Sequence, residues 1–112
     1  MSGIWNIKKN PIEQGATFER TITVEDVDIT GWGISMCIKP DTGTSSPITL
    51  NSGNGGITIT DAPNGEFKVL LTDEQTSLIG WTSGRHEIFA DLPDDSRKKL
   101  LTGEVKVTLK VC

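Results

Sequence analysis

Leu100-Leu-Thr-Gly-Glu-Val-Lys-Val-Thr-Leu-Lys-Val111 alternates strictly over its last nine residues. Gly103, Val105, Val107, Leu109 and Val111 fall on one side of an extended chain, and Glu104, Lys106, Thr108 and Lys110 on the other, because successive strand side chains point to opposite faces. A helix would spread the same apolar residues around its circumference, so the stretch reads as a half-buried strand over Lys98 to Val111. The rest of the chain reads as partners for that apolar face.

Working back, Pro93-Asp-Asp-Ser is hairpin-turn chemistry. The segment before it, Arg85 to Leu92, alternates His86, Ile88, Ala90 and Leu92 with Arg85, Glu87, Phe89 and Asp91. Thr72-Asp-Glu-Gln-Thr-Ser-Leu-Ile carries the one helical signal, near residues 72–79. There Thr72 can cap the amides that follow and acids occupy the first turn. At about two turns it is a corner and not a free-standing helix. Glu66 to Leu71 places Phe67, Val69 and Leu71 on one face after the turn Asp61-Ala-Pro-Asn-Gly. Ile57-Thr-Ile-Thr and Ile48-Thr-Leu are short strands around the glycine-rich turn Asn51-Ser-Gly-Asn-Gly-Gly. Ile34, Met36 and Ile38 alternate with Ser35, Cys37 and Lys39 until Pro40 ends the run. Phe18, Ile22 and Val24 share a face interrupted by Arg20, whose stem can lie on a core rim with its head in water. Glu25-Asp-Val-Asp-Ile-Thr-Gly is a turn-rich connection. Residues 1 to 12, with Ile4, Trp5 and Ile7 before Pro11, read as an N-terminal arm, and residues 13–112 as a single domain. The expected fold class is all-β: an antiparallel sandwich of about 7–8 short strands with one short helical turn.

With 112 residues, one domain burying roughly two thirds of its unfolded surface is expected. A hydrophobic fraction of 35% lies well above that of disordered chains. The net charge of −4, with Arg97-Lys98-Lys99 the largest basic cluster, argues against nucleic acid as a partner. No segment has the apolar length of a secretion signal or a membrane helix, so a soluble chain made in the cytosol, with no membrane partner, is expected. Two cysteines make neither a disulfide framework nor a metal site. Cys37 reads as a buried reduced thiol, and Cys112 as a solvent-accessible one able to pair between molecules.

Candidate chemistry is sparse. His86 is the only histidine and has no serine, cysteine or second histidine spaced to make a nucleophile pair or a zinc site, so it reads as a strand histidine at the core edge. Glu25, Asp26 and Asp28 lack the spacing of a calcium loop and read as a solvated acidic turn, as do Asp94 and Asp95. The loop from Ser52 to Gly56 precedes neither a helix nor Gly-Lys-Ser/Thr, which leaves phosphate binding unsupported. No catalytic, cofactor or metal residue is therefore expected. Trp5, Trp32 and Trp81, in a chain without tyrosine, all neighbour glycine or turn residues. Tryptophan there serves either as an interface anchor or as a cap on an open end of the core.

Five segments in order, Ile29 to Lys39, Ile48 to Ile59, Gly65 to Ile79, Gly84 to Leu92 and Leu100 to Thr108, resemble small β-sandwich proteins of tailed-phage and prophage structural modules. The chain is similar, over roughly residues 13 to 111, to the immunoglobulin-like N-terminal domain of phage baseplate upper proteins. That family usually has an aromatic residue where His86 stands and a tyrosine or tryptophan near Trp32. The resemblance implies an immunoglobulin-like sandwich in a virion component, assembled in the host cytoplasm, without enzymatic activity. It implies a tail, baseplate, neck or head-associated position, with other virion proteins and copies of itself as partners. Ile4, Trp5, Ile7, Trp32 and Trp81 are then the expected interface residues, the first three on the arm. The alternative expectation is a carbohydrate-binding module that stacks host surface glycans on Trp32 or Trp81.

Overall fold

The computed structural model describes residues 3–24, 27–41 and 47–110, with the backbone alone at residues 8–10. These residues form nine strands: β1 (Gly3–Ile4), β2 (Ile7–Glu13), β3 (Phe18–Thr23), β4 (Gly33–Pro40), β5 (Ile48–Asn51), β6 (Ile57–Asp61), β7 (Glu66–Leu71), β8 (Ser83–Asp91) and β9 (Arg97–Thr108). A 3-10 turn at Ala62–Asn64 and a short helix, α1 (Asp73–Ser77), complete the elements.

The alternating stretches become strands because each buries one face. Ile34, Met36 and Ile38 of β4, Ile88 and Ala90 of β8, and Val105 and Val107 of β9 are all buried. So are Phe18 of β3, Ile57 of β6, and Phe67, Val69 and Leu71 of β7. The first group belongs to a six-stranded sheet in the order β1-β9-β8-β4-β5, with β2 also on β9; the second belongs to a three-stranded sheet, β3-β7-β6. Both groups join one apolar cluster, so the chain is an all-β protein whose two sheets share a single core.

Three details depart from the sequence reading. Residues 3–13 are not an arm: β1 and β2 pair with β9, placing Ile7 opposite Val105 and Ile12 opposite Val107, and both isoleucines are in the core. This pairing is parallel, whereas the other strand pairs are antiparallel. At the other end, β9 stops at Thr108, and Leu109 is 42% exposed. Val111 lies outside the described residues. Finally, the β8–β9 register shifts between Ile88 and Phe89, which lets the consecutive Leu100 and Leu101 both pack against the core.

The helical corner forms as its residues dictate. Thr72 Oγ1 accepts from the Gln75 amide while Gln75 Oε1 accepts from the Thr72 amide, a capping box that satisfies donors the helix start leaves free. Thr76, fully buried, then ties α1 to the β2–β3 turn: its hydroxyl accepts from the Gly15 amide at 3.1 Å and donates to the Ala16 carbonyl at 2.9 Å. Thr76→Val keeps the volume and removes both partners. Urea unfolding should show a loss of about 1–3 kcal/mol, the usual cost of stranding a buried polar group. An unchanged midpoint would mean the corner contributes nothing.

Candidate functional site

One groove of about 830 Å³ collects two of the three tryptophans. It runs between the outer edge of β3 and the start of β9, up to Leu101, where β1 begins to pair. Thr21, Ile22, Thr23 and Val24 form one wall, Lys98, Lys99, Leu100 and Leu101 the other, and Trp5, Val27 and Trp32 complete it. Four consecutive residues on each wall mean that backbone edges, not single sheet faces, line the groove, because a face would contribute only every second residue.

The floor beside Trp5 is built around a missing side chain. Gly103, opposite His86 on the neighbouring strand, leaves room for the Trp5 backbone; a Cβ there would sit 2.0 Å from the Trp5 carbonyl oxygen. Into that gap His86, 1% exposed, donates its Nε2–H to the same carbonyl. The Trp5 ring stands edge-on to the imidazole, with centroids 5.1 Å apart. Nε2 must carry the proton because a carbonyl only accepts, which leaves Nδ1 a buried acceptor with no hydrogen-bond partner among the described residues.

Burial is the main influence on His86, and it holds the imidazole pKa below its ordinary value, outweighing the Trp5 carbonyl and the Glu87 charge, which pull the other way. A histidine whose folded pKa is lowered binds fewer protons folded than unfolded. Its stabilising contribution is therefore complete above about pH 6.5 and is lost as the pH falls below that value. Urea midpoints should drop between pH 8 and pH 5, and His86→Phe should flatten this slope. A slope unchanged in His86→Phe would mean the ring titrates as it does in the unfolded chain. The exposed carboxyls of Asp28 and Asp94 are also held below their usual range, the first by the Thr30 hydroxyl and amide, the second mainly by the Ser96 hydroxyl and amide. Their contributions fade only at more acid pH, below about 3.9.

The expected interface residues do not form one patch. Ile4 is 76% exposed and Ile7 is buried, so of these two only Ile4 is open to a partner. Trp5 and Trp32, both half-buried, share the groove. Trp81, also half-buried, lies over Gly84, where a Cβ would meet its ring at 2.8 Å, and it does not line the groove. His86 sits deeper than the core edge where it was expected. Cys37 is a free thiol but only half-buried, and it alternates with the buried Met36 and Ile38, which corrects the expectation of a buried thiol. Cys112, Glu25 and Asp26 lie outside the described residues.

The acidic turns hold themselves. Asp28 accepts from the amide and hydroxyl of Thr30, and Asp94 from those of Ser96. In the glycine-rich loop, Asn54 Oδ1 accepts from the Asn51 and Gly56 amides and Asn51 Oδ1 from the Asn54 amide, so these three amides are used internally. Among the described residues, no three His, Cys, Asp or Glu side chains come together as a metal site, and no helix is long and apolar enough to cross a membrane.

Sequence reading missed the groove because its walls belong to different segments. Two signals pointed to it: Gly103 inside an alternating strand, which marks a close backbone approach, and the Leu100-Leu101 pair, which breaks the alternation. No family model matches the chain, and no curated protein matches it either.

Proposed function

We propose that this chain is a non-enzymatic structural component of a tailed-phage virion, a tail, baseplate, neck or head-associated module that acts through protein–protein contacts. The observation that carries this reading is the strand order. Layers β9-β8-β4 and β3-β7-β6 support an immunoglobulin-like reading, in which the third, sixth and seventh strands of the motif form one layer and the second, fifth and fourth the other; β2, on β9 and not beside β3, departs from the constant-type order. That layering is the architecture implied by the resemblance of residues 13 to 111 to phage baseplate domains. Fold alone does not specify function, so the surface supplies the second argument. The one buried titratable ring, His86, is engaged with a backbone carbonyl, while the groove beside it offers tryptophan, leucine and an edge of β3 that has no neighbouring strand among the described residues, which suit contact with another polypeptide.

The glycan-binding alternative needs ring faces laid open to a sugar. The packing of Trp32 and Trp81 against the core favours the contact reading over it. Cryo-electron microscopy and mass spectrometry of the purified particle test the proposal. The chain is expected in a symmetric ring of copies. Its absence from particles would refute the proposal, as would a saturable change in tryptophan fluorescence on titration with host-surface glycans.

A further inference from the structure

We propose that the open edge of β3 accepts an extended segment of a partner protein, alternating apolar and acidic residues, as an added strand over the Trp5–Trp32 groove. This deepens the contact-module reading by naming the kind of partner and the backbone atoms that hold it.

β3 is the last strand of its sheet, so one of its edges has no strand beside it among the described residues. Two hydrogen bonds orient that edge. The Val24 amide donates to the Gly65 carbonyl, on the β7 side. By alternation, the N–H and C=O groups of Glu19, Thr21 and Thr23 therefore point away from β7. The Arg20 guanidinium agrees: it folds back to donate to the Glu19 carbonyl at 2.7 Å, capping the edge at its start. Thr21 and Thr23 continue that edge into the groove, which both residues line.

An extended segment fits this site better than a helix does, because only an extended backbone can pair with the edge groups of two alternate residues. Its inward side chains would meet Trp5, Trp32, Ile22, Leu100 and Leu101, so they are apolar. Its charge follows from Lys98. This lysine pairs with the buried Ala90, on the inward face of β9, yet its side chain is exposed at the groove rim. Among the described residues, the charged side chains lining the groove are Lys98 and Lys99, and because Lys99 is already paired with Glu87 at 2.7 Å, the preference for an acidic partner rests on Lys98. A second copy pairing edge to edge through β3 would bring two such lysines to one seam, which disfavours the chain as its own occupant.

The test uses the full chain and two acetylated octapeptides, one alternating valine with glutamate and one alternating valine with lysine. The glutamate peptide should shift tryptophan emission saturably and slow amide exchange at Thr21 and Thr23. Thr23→Pro removes an outward N–H while sparing the β7 ladder, and an edge position tolerates proline. It should keep the fold and weaken binding at least tenfold, and Lys98→Glu should reverse the preference between the peptides. Should Thr23→Pro not fold, amide exchange in the unsubstituted chain decides alone. Absence of binding by the glutamate peptide, equal binding by Thr23→Pro, or self-association that Thr23→Pro abolishes would each overturn the proposal. Particles that contain the chain and assemble normally with Thr23→Pro would overturn the strand-addition site while leaving the structural role standing.

Discussion

Deleting residues 1–12 should abolish cooperative folding, not release a folded domain that merely fails to assemble. The segment brings Ile7 and Ile12 into the core and supplies the strand partners along one edge of β9. Removing one buried isoleucine side chain costs about 2–5 kcal/mol, so losing two removes most of the roughly 5–15 kcal/mol that keeps a domain folded. The circular-dichroism melt of the shortened chain should lose its sigmoid, and Ile12→Ala alone should lower stability by about 2–5 kcal/mol in urea. A shortened chain melting like the full one would restore the view of residues 1–12 as an arm.

Gly103→Ala should be among the most damaging single-methyl changes at the described glycines. The added Cβ would sit 2.0 Å from the Trp5 carbonyl oxygen and 2.6 Å from its carbon. Those are backbone atoms, so the contact cannot be relieved by swinging a side chain aside. Either β9 shifts or the Trp5 segment lifts away, losing its amide bond to the Thr102 carbonyl and its acceptance from His86. A loss of about 3 kcal/mol or more is expected, at the severe end for overpacking. Tryptophan emission should move to longer wavelength, and the His86 titration should move up toward that of a solvated imidazole. Gly80→Ala, where an added Cβ meets nothing within 4 Å, is the matched control and should be nearly neutral. Equal stability of the two variants would show that the N-terminal strand does not depend on this gap.

Both predictions concern the part of the fold that was hardest to read. Where a strand keeps period two and has one buried face, the sequence shows it plainly: Ile34, Met36 and Ile38, or Phe67, Val69 and Leu71, sit where alternation puts them. β2 hides because its inward residues, Ile7 and Ile12, lie five apart. An odd spacing lands both on one face only through the register shift between them, which no local pattern announces. Ile29 is hidden differently. It lies in a turn-rich connection, yet it is fully buried, and its amide donates to the Ala62 carbonyl across the fold. Thr76 looks like an ordinary helix residue until the β2–β3 turn arrives to use its hydroxyl. The groove falls in the same class, because its tryptophans and strand edges become neighbours only when β3 and β9 are placed in facing sheets.

The parallel pairing of β1 and β2 with β9 also sets how the molecule answers mechanical force. The first strands run from Gly3 beside Leu101 to Glu13 beside Thr108, in the same direction as β9. Tension applied between the start of the chain and the end of β9 slides these strands past one another. Bonds such as those from the Trp5 amide to Thr102 and from the Gln14 amide to Thr108 then bear the strain together in shear, where a hairpin would unzip them one after another. The domain should therefore resist stretching along this axis far better than peeling of the β8–β9 hairpin from its turn.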